Sequence, residues 1–211
     1  MRPLDASTKA ALERAVRAFE AAMPGSPGEE YAAGRGFDHA IQRDFRLGYV
    51  PVGVNGFERF AGRLAIPNIC AAGHVVGLKF RALDDHTEPK YDKPAGMSNR
   101  LFNLRALNLP QMGIALTEGE GDCIAVASLG FAAVGIQGAN SWKRRHAALF
   151  EGYNRVVMVS DADEKGADLA KKVADSELNL TIIEPPGGCK DANEAIVKGF
   201  GDQLARLIKG V

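Results

Sequence analysis

Arg155-Val156-Val157-Met158-Val159-Ser160-Asp161-Ala162-Asp163 is the stretch on which the fold turns. Its first six residues are the strongest strand candidate in the chain, and two carboxylates come directly after them. Downstream, Glu164–Ser176 reads as a helix and Leu180–Ile183 as an apolar strand, with helical patterns over Ala192–Lys198 and Asp202–Ile208. Upstream, Ile114–Thr117 and Ala132–Ile136 are short apolar runs. A helical pattern over Asp122–Leu129 separates them and stops at Gly130, and a further helix is expected around Lys143–Phe150. Strands alternating with helices of this length imply βαβ units, so residues 110–211 are expected to form a parallel sheet flanked by helices, an α/β fold.

The residues before this region read differently. Residues 7–23 form an amphipathic helix with Leu12, Val16, Phe19 and Met23 on one face and Ser7 as its cap. Pro24-Gly25-Ser26-Pro27-Gly28 is the clearest linker, closing a segment of residues 1–28. Tyr31 to Tyr49 reads as short helical pieces and turns. Leu64–Cys70 and Val75–Ala82 make a plausible hairpin, and Asp84–Asn99 a long polar loop or ribbon. Residues 29–109 are therefore expected to be a smaller mixed α+β subdomain.

The chain has 211 residues, 46% of them apolar and 25% charged, with zero net charge. The charges are not evenly spread. Residues 35–105 carry eleven Lys/Arg against seven Asp/Glu, and residues 106–211 eleven against fourteen. A basic front and an acidic back suit a protein that holds a polyanion with one half and metal ions with the other. Cys70, Cys123 and Cys189 are too few and too scattered for a disulfide framework or a zinc module, so no zinc is expected. With no signal peptide and no apolar run of membrane length, the expected location is cytoplasmic, without membrane attachment.

The acids sit where a parallel sheet tolerates them least. Glu118 directly follows Ile114–Thr117, with Glu120 and Asp122 at spacings of two. Asp161 directly follows the strand at 155–160, and Asp163 lies two residues on. Open α/β sheets bind ligands at the carboxyl ends of their strands. In extended backbone Asp161 and Asp163 would lie roughly 6–7 Å apart, and two charges at about 6 Å repel by about 2–3 kcal/mol at an effective dielectric near 20. No basic residue adjoins Glu118, Glu120 or Asp122 in sequence, and Lys165 is the one near the second pair. A hard divalent cation, Mg²⁺ or Mn²⁺, is the simplest way to offset several such repulsions. Asp191 and Glu194 form a third acidic cluster after Leu180–Ile183. The competing reading of Asp122, Glu164 and Asp191 is that each caps a helix or complements its dipole.

Glu118-Gly119-Glu120-Gly121-Asp122 followed by Asp161-Ala162-Asp163 and Gly166 resembles the TOPRIM domain shared by DnaG-type primases, topoisomerases and some nucleases. Upstream, Tyr31-x-x-x-Arg35-Gly36-Phe37, Phe45-x-x-Gly48-Tyr49-x-Pro51, Arg63-x-x-x-Pro67, Gly77-x-x-x-Arg81 and Pro89-Lys90-Tyr91 resemble the basic front of the DnaG-type primase core. Lys190-Asp191-x-Asn193-Glu194 is similar to the acidic motif that comes next in primases. The sequence departs from the usual Glu-Gly-Tyr-x-Asp turn by having Glu120 at the Tyr position, as in phage primase–helicases. A zinc-binding module and a helicase or helicase-binding domain accompany the core in relatives and are not part of this sequence, which suggests a compact phage or mobile-element core.

The resemblance implies a DNA primase that makes RNA primers from nucleoside triphosphates on a single-stranded DNA template. A replicative helicase would be a further partner, and a bacterial or phage-infected cell the setting. It assigns Asp161 and Asp163 to direct metal binding, Glu118 to metal binding or proton transfer, Asp122 to a water-mediated contact and Asp191 to a further ligand position. Lys79, Arg81 and Lys90, then Arg63, Lys93 and Arg100, are the candidates for contacting triphosphate or nucleic acid. The rival readings are a TOPRIM metal-dependent nuclease and a non-catalytic DNA-binding accessory module.

Overall fold

The computed structural model describes residues 4–211, apart from the side chain of Ala139. Residues 1–3 of the expected 1–28 segment lie outside the described residues. The chain forms two compact units, divided between Ser98 and Asn99.

The first unit carries helices α1 (Ala6–Ala21), α2 (Pro27–Gly34) and α3 (His39–Asp44) with an antiparallel sheet. Its strands β1 (Gly48–Tyr49), β2 (Leu64–Ile69), β3 (Val75–Arg81) and β4 (Tyr91–Asp92) pair in chain order. The cap of α1 is Asp5, not Ser7. The Asp5 carboxylate accepts the Thr8 N–H at 2.8 Å, and the Ser7 hydroxyl donates to the same carboxylate. A carboxylate one residue before the first helical position reaches the orphan donors, which a hydroxyl already inside the helix does not. The buried face of α1, Leu12, Val16 and Phe19, packs on the sheet against Phe60, Val75 and Phe80. The helix before the Pro/Gly linker therefore shares one core with the sheet after it. Phe60 and Phe80 stack at 4.1 Å and Phe19 meets Phe80 edge-on at 5.9 Å.

Arg46 ties α1 to the turn after α3. Its guanidinium donates to both oxygens of Glu13 (3.0 and 2.9 Å) and both of Glu20 (2.9 and 2.7 Å). The side chain is 22% exposed and its partners 33% and 30%, so the bidentate pairs are partly desolvated and stronger than surface ion pairs. Arg46 holds the Glu13 carboxyl below its usual range. Arg46→Met leaves two carboxylates facing each other half-buried. A loss of about 1–2 kcal/mol is expected, read as a melting temperature lower by about 5 °C and partly recovered in 0.5 M salt.

The second unit is the α/β layer. Its elements are β5 (Gly113–Glu118), α4 (Glu120–Ser128), β6 (Ala133–Ile136), β7 (Arg155–Val159), α5 (Glu164–Ala174), β8 (Leu180–Ile183), α6 (Ala192–Val197) and α7 (Gly201–Lys209). All four strands are parallel, in the order β6-β5-β7-β8. The central strands are apolar because helices cover both faces; Leu116, Val134, Ile136, Met158, Leu169 and Val173 are buried together. The edge strand β8 is half exposed. Register decides where the site falls. Gly113 pairs with Arg155 and Thr117 with Val159, so β5 and β7 end flush and Glu118 and Asp161 leave the same sheet edge.

Two features differ from the sequence reading. Residues 99–109 fold with the second unit. Phe102 exchanges backbone hydrogen bonds with Gly135 (2.7 and 3.1 Å), and the Asn103 side chain donates to the Ala133 carbonyl at 2.9 Å. These contacts cover the outer edge of β6, whose unpaired backbone groups would otherwise face solvent. The helix expected over Lys143–Phe150 is a 3-10 run, Arg144–Leu149, a short connector between the buried rings of Trp142 and Phe150, as 3-10 segments commonly are. No described helix is long and apolar enough to cross a membrane.

Candidate active site

Three turns at the carboxyl edge of the parallel sheet build the site. The first comes after β5. Gly119 there has φ +89°, a left-handed conformation that glycine adopts without strain, and the chain turns straight from Glu118 into α4. Glu118 stays at the strand end, half-buried, and its Oε2 is buried without a hydrogen-bond partner. The helix starts at Glu120, two residues before the Asp122 expected from the sequence, so Glu120 and Asp122 lie on helix and not on extended backbone. Glu120 is 2% exposed, and the buried Cys123 thiol is pushed up by burial and then by Glu120, with Asn103, Asp122 and Arg105 also acting on it. Arg105 in turn donates to the Asn103 side chain at 2.9 Å. Sequence reading missed this neighbourhood, because Asn103 and Arg105 come from a segment assigned elsewhere.

The second turn comes after β7 and carries Asp161 and Asp163. Asp163 caps α5, its carboxylate accepting the Gly166 N–H at 2.8 Å. The third carries Asp191, which caps α6 by accepting the Glu194 N–H at 2.7 Å. Backbone and side-chain bonds join the turns: Ala162 N–H donates to the Lys190 carbonyl at 2.8 Å, and Asn193 N–H to the Asp122 carboxylate at 3.0 Å. Asp163 and Asp191 thus do serve as helix caps, as the plain reading of such acids holds. Glu118 and Asp161 cap nothing.

Electrostatics shows how closely the acids gather. The Asp161 pKa is pushed from 3.8 up to about 8, first by burial, then by Asp122, Glu118, Asp191 and Asp163. Glu118 is raised as well, by burial and then Asp163, against a smaller opposing effect of Lys165. The Asp161 carboxyl therefore feels the charges of Glu118, Asp122, Asp163 and Asp191 together. Among the described residues none of Glu118, Asp161 and Asp163 forms an ion pair, and the nearest approach at the third turn is Lys190 to Asp191 at 3.9 Å.

Such a group suits a hard dication. Among the described residues no three His, Cys, Asp or Glu side chains stand close enough together to hold an ion between them. An open set fits Mg²⁺ better than a closed one, since that ion keeps several waters and binds through one or two carboxylates plus substrate phosphates. The Oε2 of Glu118 is buried and unsatisfied, and burial and neighbouring carboxylates suppress the ionisation of Asp161.

Close backbone approach holds the second turn. A Cβ on Gly166 would sit 2.2 Å from the Asp161 carbonyl oxygen and 2.9 Å from its backbone carbon and nitrogen. Gly166→Ala must therefore move either the start of α5 or Asp161 itself. The expected cost is about 2–3 kcal/mol, measured by denaturant unfolding; an unchanged midpoint would contradict the packing described.

The basic candidates divide by surroundings. Arg63 and Arg81 are 6% and 5% exposed. Arg63 donates to the Pro89 carbonyl at 2.7 Å and Arg81 to the Ala82 carbonyl at 2.5 Å. The Arg81 guanidinium also lies 5.5 and 5.2 Å from the rings of Tyr31 and Tyr91, and Lys79 Nζ 4.9 Å from that of Tyr91. These residues build a cation–aromatic face on the first unit. Lys90 is exposed on the loop before β4, Lys93 is half-buried just after it, and Arg100 is half-buried in the second unit.

A four-stranded parallel sheet with acids at the ends of its two central strands is the architecture of a Toprim-like domain. The family model described as Toprim-like matches residues 115–196. The gene 57 protein of Mycobacterium phage D29 is 38% identical over 134 residues, 64% of this chain and 87% of that protein. A DNA primase of Deinococcus radiodurans is 26% identical over 238 aligned positions, covering 91% of this chain; the chain spans 41% of that primase. The RNA polymerase domain of Mycobacterium tuberculosis primase DnaG, in complex with a double-stranded DNA oligomer with a 6-nucleotide overhang, superposes with a TM-score of 0.80 at 23% identity, covering 98% of this chain and 80% of that one. The chain belongs to the family of the phage D29 gene 57 protein, and its architecture is that of the TOPRIM-containing catalytic core of DnaG-type primases.

Proposed function

We propose that this chain is a DNA primase core that joins nucleoside triphosphates into short RNA primers on single-stranded DNA. One observation carries the reading: four carboxylates from three strand-end turns act together on a fifth, Asp161, at the sheet edge where α/β folds bind phosphorylated ligands. Divalent ions bound there would stabilise the attacking 3′-oxygen and the leaving pyrophosphate oxygen. Asp161 and Asp163 are the direct ligands, and Asp163 also fixes the start of α5. Glu118 brings its unsatisfied oxygen to an ion or to the proton leaving the 3′-hydroxyl. Asp122 and Asp191 orient the third turn and contribute through water.

Lys79 and Lys90 contact the phosphates of template or triphosphate. Arg81 and Arg63 support the face that carries them, and Lys93 and Arg100 add to the cationic surface. By the same resemblance the protein works in the cytoplasm of a bacterial or phage-infected cell, in company with a replicative helicase.

The test is an assay with single-stranded DNA, labelled nucleoside triphosphates and Mg²⁺ or Mn²⁺. Primer-length RNA that disappears with EDTA is the expected result. Shortened DNA would indicate a nuclease instead, and retention of DNA without product an accessory binding module.

A further inference from the structure

We infer that the second unit holds a peptide-docking pocket at the sheet edge opposite the acids, built for an acidic segment of a partner protein that carries a bulky apolar side chain. A cavity of about 340 Å³ opens at the amino ends of β5 and β7, between them and the end of α7. The strands run five to six residues from there to Glu118, about 16 Å at 3.3 Å per residue, so the cavity is separate from the catalytic edge.

Its walls are apolar: Met112, Phe131, Val157 and Ile208. Two cations also line it, Arg155 and Lys209, and among the described residues no carboxylate does. Arg155 donates through Nε to the Ile208 carbonyl at 3.1 Å, which fixes the guanidinium against the end of α7. Its two Nη groups have no acceptor among the described residues. Lys209 Nζ lies 5.9 Å from the Phe131 ring and likewise makes no ion pair there. An apolar cavity of this size accepts one large side chain, and the two cations in its lining select for adjacent negative charge. Met112 is 73% exposed and carries the apolar surface beyond the cavity. A small solute would leave that lip in water, whereas a polypeptide covers it.

This inference does not depend on the primase reading. Its test uses the full chain and a fluorescein-labelled peptide, Glu-Ala-Glu-Leu-Phe-amide, followed by fluorescence anisotropy. Saturable binding is expected, weakened at least tenfold by Lys209→Glu and by Met112→Glu. Both positions are exposed, so the variants keep the fold. A Lys-Ala-Lys-Leu-Phe peptide and a Glu-Ala-Glu-Ser-Ser peptide should bind at least tenfold more weakly. Absence of saturable binding, equal binding by both variants, or equal binding of the lysine peptide would overturn the inference. So would a dimer in sedimentation velocity that either variant abolishes, which would give the pocket to a second copy of the chain. Primer synthesis should be unchanged in both variants. Peptide binding without primer synthesis in any of the proteins would count against the primase reading alone.

Discussion

Asp161→Asn should lower primer synthesis at least about 10³-fold while retention of single-stranded DNA stays within about twofold. Asp161 is the carboxylate whose ionisation burial and the charges of the other four acids oppose, and an amide keeps its shape while removing the charge that a dication needs. Losing several kcal/mol of transition-state stabilisation corresponds to about three powers of ten in rate. On the proposed reading DNA is held by cationic side chains from other segments, so its binding should survive. The measurement pairs primer synthesis under saturating triphosphate with a filter-retention assay on the same preparations. Lost retention with unchanged synthesis per bound template would reverse the assignment of roles. Asp163→Asn should behave alike in synthesis and keep the cap of α5, because the Asn side-chain oxygen can accept the Gly166 N–H as the carboxylate does.

The second half of the fold was legible because its signals are local and repeated. Val156–Val159 and Ile114–Thr117 have too few polar residues to be anything but covered strands, and the helices between them carry their own stops, such as Gly130. The acids could be located for the same reason: a carboxylate directly after such a strand has one place to go. Partnership across the chain was not legible. Spacing by two put Glu120 with Glu118 and Asp122, yet the helix begins at Glu120 and turns that side chain into the interior. Residues 99–109 lack periodicity, and their attachment to β6 depends on an edge that exists only once the sheet is built. Arg63 and Arg81 read as candidates for contacting triphosphate or nucleic acid from their charge and from the motifs they stand in. Their burial beneath the Pro89 loop and between two tyrosines results from hairpin register, which sequence does not display.

Mg²⁺ should raise the melting temperature of the wild-type protein more at pH 8 than at pH 5, and Asp161→Asn should abolish most of the difference. In the folded chain the Asp161 carboxyl ionises at about 8, against 3.8 ordinarily. Between those values the folded chain holds a proton that the unfolded chain has released. Stability from this group is therefore complete below about pH 4 and declines as pH rises through 8. Carboxyls held low, such as Glu13, Asp84 and Asp92, have the opposite sense and have finished titrating by pH 5. His146, held below 6.5, adds a rise toward neutral pH, and comparison with the variant cancels it.

After allowance for the partial exposure of Asp161, the decline should be about 2 kcal/mol between pH 5 and 8, or about 5 °C in melting temperature. A dication at the site reverses it by favouring the ionised carboxylate over the neutral one. Metal-free Asp161→Asn should thus melt higher than wild type at pH 8, so that the substitution expected to cost the most activity adds stability. Equal melting temperatures of the two metal-free proteins at pH 8, with no response of either to Mg²⁺, would mean that the acids do not form a common cation site.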